Sequence, residues 1–278
     1  MKFKKSILLA GTILSLFLVY VFLSYVISYI GSDRGKSLRI GGAGPFKQNM
    51  FTSEAEKKIK AVYKKKYTVN STNTGDGLVG LKKGKYDIIM SAGHLEAVVD
   101  LFNRDFDKNG YFNIKLYKVH SVTKVPLVIF VHPDNPVEKL TREQFRGIFS
   151  GEIRKWEEIL PSYKGDITFV TSSLKGGIRY TIENEADINH FGGNIKVVIS
   201  SSESKKVVSQ DESAISYDAA TDEIQDKMTS PNGKYRVKII PIEGLKILVP
   251  LNLVTWKEPT IDQQLFIDAV KKANDITD

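Results

Sequence analysis

Leu140-Thr141-Arg142-Glu143-Gln144-Phe145-Arg146-Gly147-Ile148-Phe149-Ser150-Gly151-Glu152-Ile153-Arg154-Lys155-Trp156 is the stretch from which the organisation of this chain can be read outward. Thr141 and Gln144 have the spacing of a capping box, in which each side chain takes up a backbone N–H that the start of a helix leaves without a partner. Gly151 stands where a helix ends in a left-handed turn. The spacing therefore predicts a helix over Thr141–Phe149, with Phe145 and Trp156 in the core of the unit around it.

On the C-terminal side follow a strand Ile167–Val170, a helix Gly177–Glu185, a strand Ile195–Ile199 and a turn-like Ala214–Tyr217. On the N-terminal side lie Leu38–Ile40, a helical Ser53–Lys65, Tyr67–Val69, a helical Gly77–Lys83 and Tyr86–Met90. This alternation of short apolar runs with amphipathic stretches predicts an α/β fold with helices over a largely parallel sheet. Val125–Val131 and Leu245–Val254, rich in aliphatic residues, read as buried strands. A last helix opens at Thr260 and Gln263 and puts Phe266, Ala269, Val270 and Ala273 on one face. The chain thus leaves a first lobe, builds a second and returns. The expected limits are 1–36 for an anchor and linker, 37–125 and 250–278 for lobe I, and 126–249 for lobe II. Lys64-Lys65-Lys66 and Ser200–Lys206 read as solvated surface.

Ile7–Ile30 holds no charge over 24 residues. As a helix it reaches about 36 Å, against a bilayer core of roughly 30 Å. It is longer than a secretory h-region and lacks a small-x-small cleavage site, so an uncleaved anchor is favoured over a signal peptide. Lys2, Lys4 and Lys5 precede it and Tyr20, Tyr25 and Tyr29 crowd its far half, which places the N-terminus in the cytoplasm and everything after Gly31 outside the membrane. The 278 residues are 42% hydrophobic and 26% charged, too apolar for a disordered chain. There is no cysteine, which excludes disulfide scaffolds, cysteine-ligated metals and cysteine nucleophiles. A net charge of +8, three of it before the anchor, gives weak attraction to anions and no case for nucleic-acid binding.

Three glycine-bearing segments each follow a strand and precede a helix: Gly41–Phe46, Asn73–Gly77 and Ser172–Gly177. Such turns bring backbone N–H groups and the positive end of a helix dipole to one place, which suits an oxyanion.

The order Gly42-Ala43-Gly44-x-Phe46, then Gly77-x-x-x-Leu81-Lys82-x-Gly84-x-x-Asp87-Ile88-x-x-Ser91, then above all the Thr141–Trp156 segment resembles the phosphate-binding proteins of ABC importers. Val131–Pro136 is similar to the family's strand end between lobes, and Ala214-Ile215-Ser216-Tyr217 to its Ala-Ile-Gly-Tyr turn. The resemblance runs from about Ser37 to the C-terminus. It implies a type 2 periplasmic-binding-protein fold, two α/β lobes joined by crossing strands, closing on an anion held at helix N-termini. The candidate ligand-binding residues are Gly44, Pro45, Phe46, Thr74, Gly75, Ser91, Ser173, Lys175, Gly176, Gly177, Arg179 and Tyr217. It implies no cofactor or metal, phosphate or another small oxyanion as ligand, an ABC permease as partner, and a monomer.

The chain departs from the family where the ligand is held. Pro45, which has no N–H, replaces a threonine, and Ala92 replaces an aspartate that accepts a proton from phosphate. Thr171 replaces an arginine, while Lys175 and Gly177 replace a serine and a threonine. Lys175 or Arg179 could restore positive charge, although a lysine cannot give the two-point clasp of an arginine. Loss of the carboxylate removes a filter against fully ionised anions. Two readings follow: a tethered solute-binding protein, or a surface sensor or interaction protein that has lost phosphate.

An enzyme is disfavoured. His94, His120, His132 and His190 have no zinc-protease spacing, and neither a serine-hydrolase elbow nor a phosphate-binding P-loop is present. His94, two residues past Ala92, reads as a partly exposed loop histidine near the cleft.

Overall fold

The computed structural model describes residues 19–21, 37–105, 112–172 and 174–276. Apart from 19–21, the anchor expected over Ile7–Ile30 lies outside the described residues. Among the described residues no helix is long and apolar enough to cross a membrane.

From Leu38 onward the chain is one compact unit. Its first half runs β1 (Leu38–Ala43), α1 (Gly44–Met50), α2 (Ser53–Val62), β2 (Tyr67–Thr72), α3 (Thr74–Lys82), β3 (Ile88–Ala92) and α4 (Leu95–Asp105). A long strand, β4 (Tyr117–Val131), leads out. The second half holds α5 (Arg142–Ser150), β5 (Thr168–Thr171), α6 (Gly177–Glu185), β6 (Ile195–Val197), α7 (Ser201–Val208), β7 (Ala214–Ala219), α8 (Asp222–Thr229) and β8 (Lys238–Ile240). Then β9 (Leu248–Trp256) and α9 (Ile261–Ala273) return.

The strands form one sheet in the order β2-β1-β3-β9-β4-β7-β5-β6, with β8 also on β4. Pairing is parallel within each half, as in Ile40 opposite Val69 and Ile88, or Phe169 opposite Ile195 and Ile215. The antiparallel pairs are those that involve β4 or β9. β4 lies along β9 from Tyr117 to Pro126 and along β7 from Leu127 to Val131. Two α/β lobes are thus joined by two long neighbouring strands.

Local chemistry places the helices. Thr141 and Gln144 form both bonds of the expected capping box, and Gly151 caps the other end at φ 81°, a conformation that penalises any side chain. Thr260 and Gln263 do the same for α9. Phe145 and Trp156 are fully buried, and Phe149 lies 4.4 to 6.0 Å, ring to ring, from Phe145, Phe169, Phe191 and Tyr217. A cluster of aromatic rings supplies much of a lobe's hydrophobic stabilisation, since each ring buries roughly 150–250 Å².

Two expectations are corrected. Ala214–Tyr217 is not a turn but most of β7, buried along its whole length between β4 and β5. Ser216 donates to Val170 O (2.8 Å) and Asp218 pairs with Lys205, so both are satisfied inside the fold. Ser200–Lys206 is not merely solvated surface. Ser200 caps α7, and Ser204 and Val208 are buried. Smaller shifts have local causes: α2 stops at Val62 because Tyr63 turns extended, and α3 begins at Thr74 because Asn73 caps it.

Candidate functional site

Four strand-to-helix junctions meet between the lobes around a cavity of about 100 Å³. That is room for a few waters, each occupying about 30 Å³ of liquid, or for one small tetrahedral ion. The first half contributes Gly44 and Pro45 at the start of α1, and Ser71 through Thr74 at the start of α3. The second contributes Ser172, Gly176 and Gly177 at the start of α6, and Ile199, Ser200 and Ser201 at the start of α7. Ala92 and Tyr217 complete the wall. A Cβ on Gly44 would lie 3.1 Å from Ser71 Oγ and 3.8 Å from Ser201 Oγ, so hydroxyls from both lobes flank one turn.

The junctions differ in how their free N–H groups are used. Asn73 Oδ1 accepts from Asp76 N (2.8 Å), and Ser200 Oγ accepts from Glu203 N (3.2 Å). The starts of α1 and α6 carry no side-chain cap, since Ala43 and Gly176 have no side chain able to give one. Pro45 fits at its position because the first turn of a helix has no use for its missing N–H. Thr74 is buried, its Oγ1 3.3 Å from Ala92 N and 3.5 Å from Ala92 O, and so ties α3 to the end of β3.

Among the described residues, none that lines the cavity is Lys, Arg, His, Asp or Glu. The cations expected there are engaged elsewhere. Lys175 bridges the two lobes: its Nζ lies 3.6 Å from Asp76 Oδ1 and 5.8 Å from the Phe102 ring centre, and its carbonyl accepts from Gly75 N (3.2 Å). Arg179 is buried and faces away, its Nε donating to Glu183 Oε1 (2.7 Å), its Nη1 to Leu174 O (2.9 Å), and its guanidinium 5.4 Å from the Phe191 ring centre. It is neither a solvated residue nor a wall of the cavity.

Of the other predicted residues, Gly44, Pro45, Thr74, Gly176, Gly177 and Tyr217 are brought together at the cavity. Phe46 is in the core against Phe51, and Gly75 lies at the contact between lobes. Ser91 is fully buried beside the cavity wall without lining it. Ser173 lies outside the described residues. Tyr217 OH is 2.9 Å from Thr171 Oγ1, and burial pushes the phenol well above its ordinary range, so it stays neutral and able to donate. Thr171 therefore serves Tyr217 at the place where the resemblance implied an arginine. The start of α7 was missed altogether. Its signal was legible as Ser200-x-x-Glu203, a capping spacing hidden by a reading of charge alone. Among the described residues no cluster of His, Asp or Glu could hold a metal ion.

A family model described as a PBP superfamily domain matches residues 29–264. The chain belongs to the PBP superfamily. Solved structures bear out the fold of this PBP-superfamily chain. One, from Clostridium perfringens, is described as a phosphate ABC transporter substrate-binding protein with bound phosphate; it is 20% identical at a TM-score of 0.64, over 84% of this chain and 93% of that one. Another is an ABC-type phosphate transport receptor from Vibrio cholerae, 22% identical at a TM-score of 0.55, over 84% and 93%. A third is the effector-binding domain of QuiR in complex with shikimate, 16% identical at a TM-score of 0.58, over 86% and 97%. The resemblance carried by Thr141–Trp156 holds at the level of the family. The PBP fold is common to solute carriers and to regulatory domains, so it does not choose a ligand.

Proposed function

We propose that this PBP-superfamily chain is an extracytoplasmic, membrane-tethered solute-binding protein. It holds phosphate or a similar small oxyanion between its lobes and presents it, as a monomer, to an ABC permease. The observation that carries the reading is the meeting of helix N-termini from both lobes on one hydroxyl-rich cavity. Each such terminus favours a nearby anion by roughly 0.3–1 kcal/mol, more when partly buried. Hydroxyls and free N–H groups add hydrogen bonds whose full number is reached only when both lobes close on the ion. The lobe limits proposed are 37–125 with 250–278, and 126–249, supported by the change of partner along β4 after Pro126.

The test is calorimetric titration of the full chain with phosphate, sulfate, molybdate and tungstate in oxyanion-free buffer. Saturable binding of at least one of them is expected. The second reading, a surface sensor or interaction protein, draws support from Arg179 and Thr171, which are spent on Glu183 and Tyr217. Silence with all four anions favours it and refutes the first. Tethering is checked separately by fractionation: the chain should stay with membranes after a high-salt, alkaline wash.

A further inference from the structure

Resting on the tethered reading, we propose that the edge of lobe I at which β1, β2 and β3 begin is a docking face for an anionic phospholipid surface. Parallel strands joined by helices all begin at one edge of their sheet and end at the other. The cavity lies where β1, β2 and β3 end. Three backbone bonds fix the opposite edge: Leu38 N donates to Lys66 O (3.0 Å), Asp87 N to Arg39 O (2.8 Å) and Lys257 N to Leu116 O (2.9 Å). Exposed Lys64, Lys66, Lys83, Lys85, Lys115 and Lys257 gather there, and none of these six has an ion-pair partner among the described residues. The acids of the same edge are already held, Asp87 by Arg39 (2.7 Å), Glu258 by Lys118 (2.9 Å) and Asp262 by Lys65 (2.7 Å). Six uncompensated lysines exceed what is left of the net charge of +8 once Lys2, Lys4 and Lys5 are set aside, so the rest of the folded unit is slightly acidic. The charge is therefore concentrated on this edge.

Two further observations choose lipid as the occupant. Tyr63 OH donates to Asp262 Oδ2 (3.0 Å), which ties the end of α2 to the start of α9 and sets Val62, 46% exposed, and Ile261, 69% exposed, beside the lysine run. Lysines flanked by exposed aliphatic side chains suit a headgroup layer, where charge meets phosphate and the apolar group reaches the acyl boundary. Chain continuity supplies the second. Leu38 opens β1 at this same edge, and seven residues separate it from Ile30, the end of the apolar stretch. Fully extended, they reach at most about 25 Å. A bilayer entered by the anchor is thus always within reach of the lysines, a proximity that no soluble acidic partner shares. Docking leaves the cavity free, because β1 holds it about 20 Å from the lipid.

The chain has no cysteine, so a single introduced one carries a fluorophore at a known place. Ile261→Cys puts it on the edge, and Ile199→Cys, exposed at the cavity, serves as the reference. Each full-length variant is reconstituted into vesicles of phosphatidylcholine, or of a roughly three-to-one mixture of phosphatidylcholine and phosphatidylglycerol, with a quencher on the headgroups, and floated on a density gradient. The label at Ile261 should be quenched in the anionic vesicles and recover in about 0.5 M salt, while the label at Ile199 stays bright. Each lysine near an anionic surface is worth roughly fivefold in the ratio of docked to free protein. Lys64→Gln/Lys66→Gln/Lys83→Gln/Lys85→Gln should therefore lower that ratio on the order of a hundredfold and abolish the quenching, at an unfolding temperature close to that of the wild type. Floated protein whose Ile261 label stays bright, is quenched equally in neutral vesicles, or is quenched no more than the label at Ile199 overturns the docking face and leaves the tether standing. Flotation with anionic but not neutral vesicles supports the face and refutes the tether; flotation with neither refutes both. An Ile261 label that responds to protein concentration without lipid assigns the edge to a second copy of the chain and overturns the inference.

Discussion

Replacing Gly177 by alanine should weaken anion binding in a protein that remains folded, although local chemistry argues the opposite. Gly177 opens α6, and alanine is favoured over glycine in helices by up to about 1 kcal/mol. A Cβ at this position, however, would lie 1.8 Å from Ala92 O and 2.9 Å from both the Ala92 carbonyl carbon and Val98 Cγ2. Carbon and carbonyl oxygen approach each other to about 3.3 Å at closest, so α6 and β3 must part by about 1.5 Å. Ala92 O cannot turn aside, because it belongs to the backbone of a fully buried strand. These two elements come from opposite lobes, and the strain therefore falls on closure. Parting them breaks the Gly75 N to Lys175 O bond (3.2 Å), worth about 1 kcal/mol net, and draws the free N–H groups of α6 back from the ion. The dipole attraction lost with them is of similar size, so affinity should fall on the order of thirtyfold. The assay pairs titration with sulfate and phosphate with thermal unfolding of the unliganded chain, whose midpoint should move by only a few degrees. Wild-type affinity in Gly177→Ala refutes the reasoning, since the lobes would then hold the ion without bringing α6 against β3.

Arg179→Met should destabilise the protein by about 3 kcal/mol, because Glu183 is left buried with, among the described residues, only Arg104 at 3.9 Å for a partner. Arg179→Met/Glu183→Leu should restore most of that loss in urea unfolding, and anion affinity should be unchanged in both; a large loss of affinity would return Arg179 to the ligand. His120 is held below the ordinary imidazole range by burial, helped by Lys271 and Lys118. Its folded value lies under its unfolded one, so its stabilising contribution is complete above about pH 6.5 and disappears as pH falls below that. Between about pH 7 and pH 5 the unfolding temperature of the wild type should therefore drop more steeply than that of His120→Gln, and equal slopes would contradict this. Thr141→Ala removes one bond of the capping box and should cost about 1 kcal/mol, seen as a lower urea midpoint at unchanged m-value.

What the sequence by itself determined is what short-range chemistry controls. The capping boxes at Thr141 and Thr260, the aliphatic runs of β4 and β9, the alternation of strand and helix, and the glycine-bearing turns all depend on neighbours a few residues apart. They were enough for the two-lobed α/β fold and for the three glycine-bearing turns that meet at the cavity, while Tyr217 came from the resemblance. Only the tertiary structure decided which polar groups are free to meet a ligand. Lys175 looks like a ligand cation until Asp76 is seen beside it, whereas Arg179 and Glu183, four residues apart on α6, are a pair that helical spacing already offered. Ser216 looks like a turn residue until Val170 of the neighbouring strand is seen to accept its hydroxyl. The start of α7 reaches the cavity from a stretch that charge alone assigns to solvent. A hydrogen bond or ion pair between residues far apart in the chain, such as Lys175 with Asp76 or Ser216 with Val170, leaves no spacing to read, and such pairings are made only when the fold brings the partners together.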